Sequence, residues 1–98
     1  MADSHVKLIE LVKENNPAFL MYFEEVYPGF SDKLLKINPK INQTELEFCA
    51  LLKLKMPTKE IAKYKFIAPK TVQNKRYLIR KKLNIPQAID TYQWFEEL

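Results

Sequence analysis

The sequence predicts an all-α fold, organised as a small helical domain. Apolar residues recur at three- and four-residue spacings along almost the whole chain, which is the periodicity of amphipathic helices. The chain has one glycine against six prolines, whereas hairpins, sandwiches and barrels need several glycines in their turns. Its 98 residues, of which 47% are hydrophobic, suffice for one globular core. We therefore predict that the chain is built of helices and has no strands.

Prolines and short polar residues divide the N-terminal part of the chain, residues 1–40, into three predicted helices. These helices cover about 4–14, 17–27 and 30–37. The first carries a broad aliphatic stripe that exceeds what so short a helix could easily bury within its own chain, so it is the better candidate for a dimer seam. The aromatic residues of the next two are expected to form a core rather than a base-stacking platform. We expect residues 1–40 to be a helical extension that packs on the following domain or dimerises.

Two threonines are predicted to open the first two helices of the C-terminal part. Thr44 followed by Glu47 has the spacing of a capping box, in which two side chains satisfy backbone N–H groups at a helix start. This box predicts a helix over about 44–55. Thr58 is predicted to act as the N-cap of a two-turn helix over about 59–65.

Two prolines are predicted to open the last two helices. Pro69 stands at the first position of a helix over about 69–83, and Pro86 at the first position of a closing helix over about 86–98. Residues 41–98 therefore have the order helix, short helix, tight turn, longer helix and closing helix. This order is typical of a helix-turn-helix, in which a short helix braces a second helix that lies in the DNA major groove.

Positive charge is concentrated in the segment 51–82. It holds eleven basic residues and one acidic residue, a net charge of +10, while the rest of the chain has a net charge of −6. A field of this kind on one face of a small domain is expected of a nucleic-acid binder. A solvated lysine-rich face accounts for the same charge, so both interpretations stay open on charge alone.

Helical projection of the segment 69–83 separates an apolar side from a polar side. The apolar side holds Val72, Ile79 and Leu83. The opposite side holds Lys70, Gln73, Asn74, Tyr77 and Lys81. Glutamine and asparagine can form paired hydrogen bonds with adenine, and tyrosine can contact a thymine methyl group or a phosphate. We therefore predict that Gln73, Asn74 and Tyr77 contact bases.

Three further basic residues of this segment lie outside its polar side. Arg76 and Arg80 flank it and can reach phosphates. Lys75 falls on the core-facing side of the projection. We expect the stem of Lys75 to pack and its ammonium group to extend toward the DNA backbone or a neighbouring loop.

Six short segments between residues 41 and 85 form a specific pattern. They are Ile41-Asn42-Gln43-Thr44-Glu45, Lys59-Glu60-Ile61-Ala62, Ile67, Ala68-Pro69, Thr71-Val72 and Lys82-Leu83. This pattern resembles the LuxR/GerE-type helix-turn-helix domain of bacterial transcription regulators. The resemblance implies a LuxR/GerE-like tetrahelical helix-turn-helix over 41–98, preceded by two or three N-terminal helices, with duplex DNA as its partner.

The resemblance also implies which residues reach DNA. The base-contacting sites of the family fall on Gln73, Asn74 and Tyr77, the three positions that the helical projection also selects. Its phosphate contacts fall on the motif's threonines, on its first lysine and on nearby basic residues. The predicted phosphate contacts are therefore Thr58, Lys59, Lys70, Thr71, Lys75, Arg76, Arg80 and Lys81.

The composition argues against an enzyme, a bound cofactor and a metal site. Cys49 and His5 are too few ligands for structural zinc, and a single cysteine forms no internal disulfide. The sequence shows no pair of carboxylates, no nucleophile with a base and no glycine-rich phosphate loop, so we expect neither catalysis nor a cofactor. No stretch approaches 18 apolar residues, and we expect a cytoplasmic protein without a membrane partner.

Together these patterns predict a transcription regulator that binds duplex DNA sequence-specifically, with 69–83 as its recognition helix. We expect a homodimer, at least on DNA, and hence a roughly palindromic site. A sensor domain outside this chain and RNA polymerase are candidate further partners. The alternative is a protein-interaction adaptor that uses the N-terminal aromatic helices and carries a degenerate DNA-binding motif. RNA binding fits less well, because the aromatic residues are not interleaved with the basic segment.

Overall fold

The computed structural model describes the backbone of residues 2–98 and the side chains of residues 4–98. Within this part, every regular secondary-structure element is a helix. Its elements are α1 (Ala2–Lys13), α2 (Phe19–Val26), α3 (Phe30–Ile37), α4 (Gln43–Lys53), α5 (Thr58–Lys65), α6 (Pro69–Lys82) and α7 (Thr91–Glu96). The predicted all-α class is confirmed. Each of the seven segments for which a helix is predicted contains one. None of the described helices has the length and apolar character needed to cross a membrane.

The capping box of α4 lies two residues before the predicted one. The side chain of Asn42 accepts a hydrogen bond of 2.9 Å from the backbone N–H of Glu45. The Glu45 carboxylate in turn accepts one of 3.0 Å from the backbone N–H of Asn42. Thr44 and Glu47 lie inside the helix, so the box predicted there is wrong. Both pairs have the same spacing, but only Asn42 has the extended backbone that an N-cap requires.

Two other predicted helix starts also differ from the structure. Pro57 has the extended backbone of the N-cap of α5, which makes Thr58 the first helical residue, without a capping hydrogen bond. The last helix begins five residues later than Pro86 predicts, because Asp90 is its N-cap and accepts a hydrogen bond of 3.2 Å from the N–H of Gln93. Pro86 instead starts a turn that its carbonyl closes with the N–H of Ile89, at 3.0 Å.

One cluster of buried residues includes side chains from all seven helices. In the N-terminal part, Phe23 lies 4.8 Å, between ring centroids, from both Tyr27 and Phe30. Phe30 in turn lies 6.5 Å from Phe95 of α7, so aromatic contacts connect α2 and α3 with the last helix. The N-terminal aromatic residues therefore form part of the same core as the C-terminal helices.

The apolar stripe of α1 is buried within its own chain. Leu8, Leu11 and Val12 are at most 6% exposed, and Ile9 is half-buried. Among the described apolar side chains of α1, only Val6 projects into solvent, at 55% exposure. The others, which were expected to exceed what the chain could bury, are covered by α2 and the core. The stripe gives no support to a dimer seam on α1.

Two titratable side chains of α4, one buried and one half-buried, have altered pKa values. Cys49 is fully buried, and burial raises the pKa of its thiol to about 12, so the thiol stays protonated and acts as a small core residue. Lys53 donates a hydrogen bond of 2.9 Å to the carbonyl of Phe95, at the end of α7. Burial, with the nearby charge of Lys33, lowers the pKa of the Lys53 ammonium group. The contact attaches α7 to α4.

Candidate nucleic-acid interface

Helices α5 and α6 are in contact and are joined by the short turn 66–68. Phe66 ends α5 in the left-handed conformation, with φ 57°, and its side chain is 85% exposed. The N–H of Ile67 returns to the carbonyl of Ala62 at 3.0 Å and closes the turn. Pro69 occupies the first turn of α6, where its missing N–H needs no partner. The turn thus joins α5 to α6, and the two helices pack against each other.

Helix α6 has one buried side and one solvent-exposed side. Val72 and Ile79, with Leu83 just beyond its end, are at most 3% exposed, as the helical projection predicted. The exposed side chains include Lys70, Thr71, Gln73, Asn74, Tyr77 and Lys81. The ring of Tyr77 is 61% exposed, and its centroid lies 5.3 Å from the Lys81 ammonium nitrogen. The three residues predicted to contact bases therefore share one accessible face, where their contacts with DNA remain a prediction.

Leu78 lies beside this face and was missed by the sequence analysis. The Leu78 side chain is apolar, yet it is 54% exposed. It follows Asn74 by one helical turn, so the two side chains are neighbours on the surface. It also borders a cavity of about 90 Å³ between α6 and the start of α4. The projection contained the signal, because Leu78 falls closer to Asn74 than to Val72.

The two arginines of α6 make contacts within the chain. One guanidinium nitrogen of Arg80 donates to Thr91 Oγ1 at 2.7 Å, and the other donates to the carbonyl of Pro86 at 2.8 Å. Thr91 is itself buried. The guanidinium carbon of Arg76 lies 5.9 Å from the ring centroid of Tyr92, a cation–π distance. Arg80 thus ties α6 to the segment that leads into α7, a role that its predicted phosphate contact did not include.

Replacing Arg80 with alanine is expected to lower the free energy of unfolding by about 1.5–3 kcal/mol, because a charged donor is removed from Thr91 and from a carbonyl. Urea unfolding measures the change. Lys81→Ala is the matched control, since Lys81 is the exposed neighbour, and is expected to change the same free energy by less than about 0.5 kcal/mol. If the two variants are equally stable, the hydrogen bonds of Arg80 do not stabilise the fold. The Arg80 side chain could then contact DNA instead.

The other predicted phosphate contacts lie along α5 and α6. Lys59 is exposed in the first turn of α5, next to the half-buried Thr58. Lys75 is half-buried and borders the same cavity as Phe48 and Thr44, which fits the expected packing of its stem. Lys82 belongs to the motif Lys82-Leu83 but was not a predicted phosphate contact, and it forms an ion pair that joins α6 to Glu45 of α4.

The Glu45 carboxylate, at the start of α4, is stabilised in its charged form. Burial raises its pKa, but the hydrogen bonds from Lys82 and from the backbone N–H of Asn42 outweigh burial and hold the pKa below its usual value. The carboxylate therefore stays ionised near neutral pH and neutralises part of the charge of Lys82. Among the described cations of α6 and of the start of α5, those that have no such hydrogen-bonded partner are the exposed Lys59, Lys70 and Lys81 and the half-buried Lys75 and Arg76.

Comparison of the chain with models of protein families, with curated proteins and with solved structures finds no match. Function is therefore inferred from the helices and from the side chains that they expose.

Proposed function

We propose that the chain is a transcription regulator that binds duplex DNA sequence-specifically, with α6 in the major groove. The observation that carries the proposal is the pairing of a buried and an exposed side on α6. Val72 and Ile79 fix the helix to the core, while Gln73, Asn74 and Tyr77 project from the opposite side. A rigid helix that presents amides and a phenol to solvent is suited to reading base edges.

The charges around α6 support this proposal. The segment 51–82 has a net charge of +10, and it contributes α5, α6 and the end of α4. Lys70 and Lys81 lie at the two ends of the exposed face, where phosphates would pass on either side of a groove. Cations at these positions supply affinity by counterion release, while the residues between them supply specificity.

The arrangement of α4 to α7 supports a LuxR/GerE-like tetrahelical helix-turn-helix within this proposal. A capped helix, a two-turn helix, a tight turn, a longer helix and a closing helix follow one another as in the resemblance drawn from the sequence. We further infer a cytoplasmic, non-enzymatic protein that binds as a homodimer on DNA. Two copies on one site would place their recognition helices about 34–36 Å apart, on a roughly palindromic sequence.

The burial of the N-terminal aromatic side chains gives little support to the adaptor alternative. Phe19, Phe23 and Phe30 are at most 4% exposed, and Tyr22 and Tyr27 are half-buried. Aromatic side chains that are already in the core are unavailable to a partner protein. DNA binding is therefore the function that the exposed residues favour.

Binding to a randomised duplex pool, with sequencing of the retained fraction, tests the proposal. The expected result is one enriched motif with approximate two-fold symmetry. Replacing Asn74 with alanine should lower discrimination at one base pair of that motif by about 1–3 kcal/mol, because an amide that pairs with a base edge is removed. Anisotropy titrations against duplexes that vary that base pair measure the loss.

Gln93→Ala is the control for this variant, since it removes an exposed amide from α7 and leaves α6 intact. It should retain the full preference of the original chain. Retention of duplexes without an enriched motif would leave only nonspecific binding. Absence of binding at low salt would contradict the proposal and return the adaptor to consideration.

A further inference from the structure

The exposed face of α6 carries an apolar pair beside its amides. Tyr77 and Leu78 are 61% and 54% exposed, and both lie within one turn of Asn74. A single exposed leucine is ordinary on a protein surface. This one lies beside Asn74, at the edge of the face that presents Gln73 and Tyr77, so the face carries amide groups and has apolar groups at its centre and at its edge.

The same face lacks the side chains that most often read guanine. Arginine reads guanine through two parallel hydrogen bonds, and it is the commonest specific contact in the major groove. Helix α6 has two arginines, but Arg76 lies against the Tyr92 ring and Arg80 is hydrogen-bonded to Thr91 and Pro86. The cations that remain on the exposed face are Lys70 and Lys81, at its two ends. The centre of the face therefore offers no arginine fork to a base.

The groups at the centre of the face match an A·T base pair. Adenine presents an acceptor and a donor in the major groove, which an asparagine or glutamine amide can engage together. Thymine presents a methyl group, which favours apolar contact. Asn74 and Leu78 are one helical turn apart, so one can lie near an adenine edge while the other lies near a thymine methyl.

We infer that α6 recognises a run of A·T base pairs, with Asn74 and Gln73 on adenines and Leu78 on a thymine methyl group. This inference rests on the proposed DNA-binding function and adds the class of sequence and a further specificity-determining residue. Lys70 and Lys81 contact the phosphates on either side of the run. The enriched motif is expected to have A·T pairs at the centre of each half-site.

Uracil provides a test of the methyl contact, because it pairs as thymine does but lacks the C5 methyl group. We would replace each thymine of the enriched duplex by uracil, one position at a time, and measure affinity by anisotropy. The original chain is expected to lose affinity by about fourfold at one position, since burial of a methyl-sized group contributes about 0.8 kcal/mol. The Leu78→Ala variant is expected to bind the thymine duplex about fourfold more weakly and to show no further loss with uracil.

Two controls separate this contact from loss of folding. Met21→Ala removes a side chain that is 67% exposed on α2, away from the helix-turn-helix, and should keep the full uracil sensitivity. The melting temperature of Leu78→Ala should stay close to that of the original chain, because the side chain is more than half exposed. If Leu78→Ala lowers the affinity only because it unfolds the chain, the result counts against the contact. The Leu78→Thr variant keeps a methyl group and should recover part of the uracil sensitivity.

The outcomes distinguish the inference from the function on which it rests. An A·T-centred motif whose uracil sensitivity disappears in Leu78→Ala supports both. A motif centred on G·C pairs, or equal uracil sensitivity in Leu78→Ala and in the original chain, overturns the inference and leaves the proposed function standing. Failure to bind duplex DNA, or binding without any enriched motif, overturns both.

Discussion

Replacing Phe23 with alanine is expected to lower the free energy of unfolding by about 3–5 kcal/mol, the usual cost of deleting a buried phenyl group. Phe23 is fully buried and lies 4.8 Å from the rings of Tyr27 and Phe30. Phe30 approaches Phe95 of α7 at 6.5 Å. The cavity left by Phe23 would therefore weaken contacts that reach the C-terminal helices, and we expect the whole chain to unfold in one transition at lower urea concentration.

Two probes measure this effect in the two parts of the chain. Trp94, the only tryptophan, is in α7 and reports on the C-terminal helices, while far-ultraviolet circular dichroism reports on all helices. For Phe23→Ala, the midpoints of the two unfolding transitions should shift together to a lower urea concentration. Met21→Ala, a change at a 67% exposed position of the same helix, should leave the transition within about 0.5 kcal/mol of the original. An unchanged Trp94 transition beside an early loss of helical signal would mean that residues 1–40 fold independently.

The buried and exposed sides of α6 could be predicted because helical periodicity alone decides them. Val72 and Ile79 fall on one side of a helix whatever packs against it, and the structure buries both. The position of the α4 cap could not be decided in the same way. Asn42 with Glu45 and Thr44 with Glu47 have the same spacing, and the choice depends on where the backbone becomes extended.

Features that depend on distant parts of the chain were also beyond prediction. The charge of Arg80 suggested a phosphate contact, yet its partners lie in the segment before α7, which only the tertiary fold brings close. The aliphatic stripe of α1 suggested a dimer seam, yet Leu8 and Val12 are covered by their own chain. Leu78 differs from these cases, since helical projection already places it nearer to Asn74 than to Val72, and the fold leaves its side chain in solvent. Sequence patterns identify the chemistry of a side chain more readily than its partner.

The affinity for DNA is expected to fall steeply with salt. Three exposed cations, Lys59, Lys70 and Lys81, lie at the proposed interface, and the half-buried Lys75 and Arg76 lie beside them. If three to five phosphates are neutralised per protomer, a plot of the logarithm of the binding constant against the logarithm of the salt concentration is expected to have a slope of about −2.7 to −4.5. Between 50 and 200 mM salt the affinity should therefore fall by about 40- to 500-fold per bound protomer.

Single charge removals distinguish phosphate contacts from structural cations. Lys70→Gln and Lys81→Gln should each reduce the magnitude of the salt slope by about one and weaken binding to all duplexes alike, because a phosphate contact carries no sequence information. Lys82→Gln is the matched control, since it removes the same charge from α6 at a residue that is already paired with Glu45. It should keep the original slope, and any loss it causes should be in stability. Equal reductions of the slope by all three variants would show that the overall charge of α6, rather than the cations on its exposed face, governs the affinity.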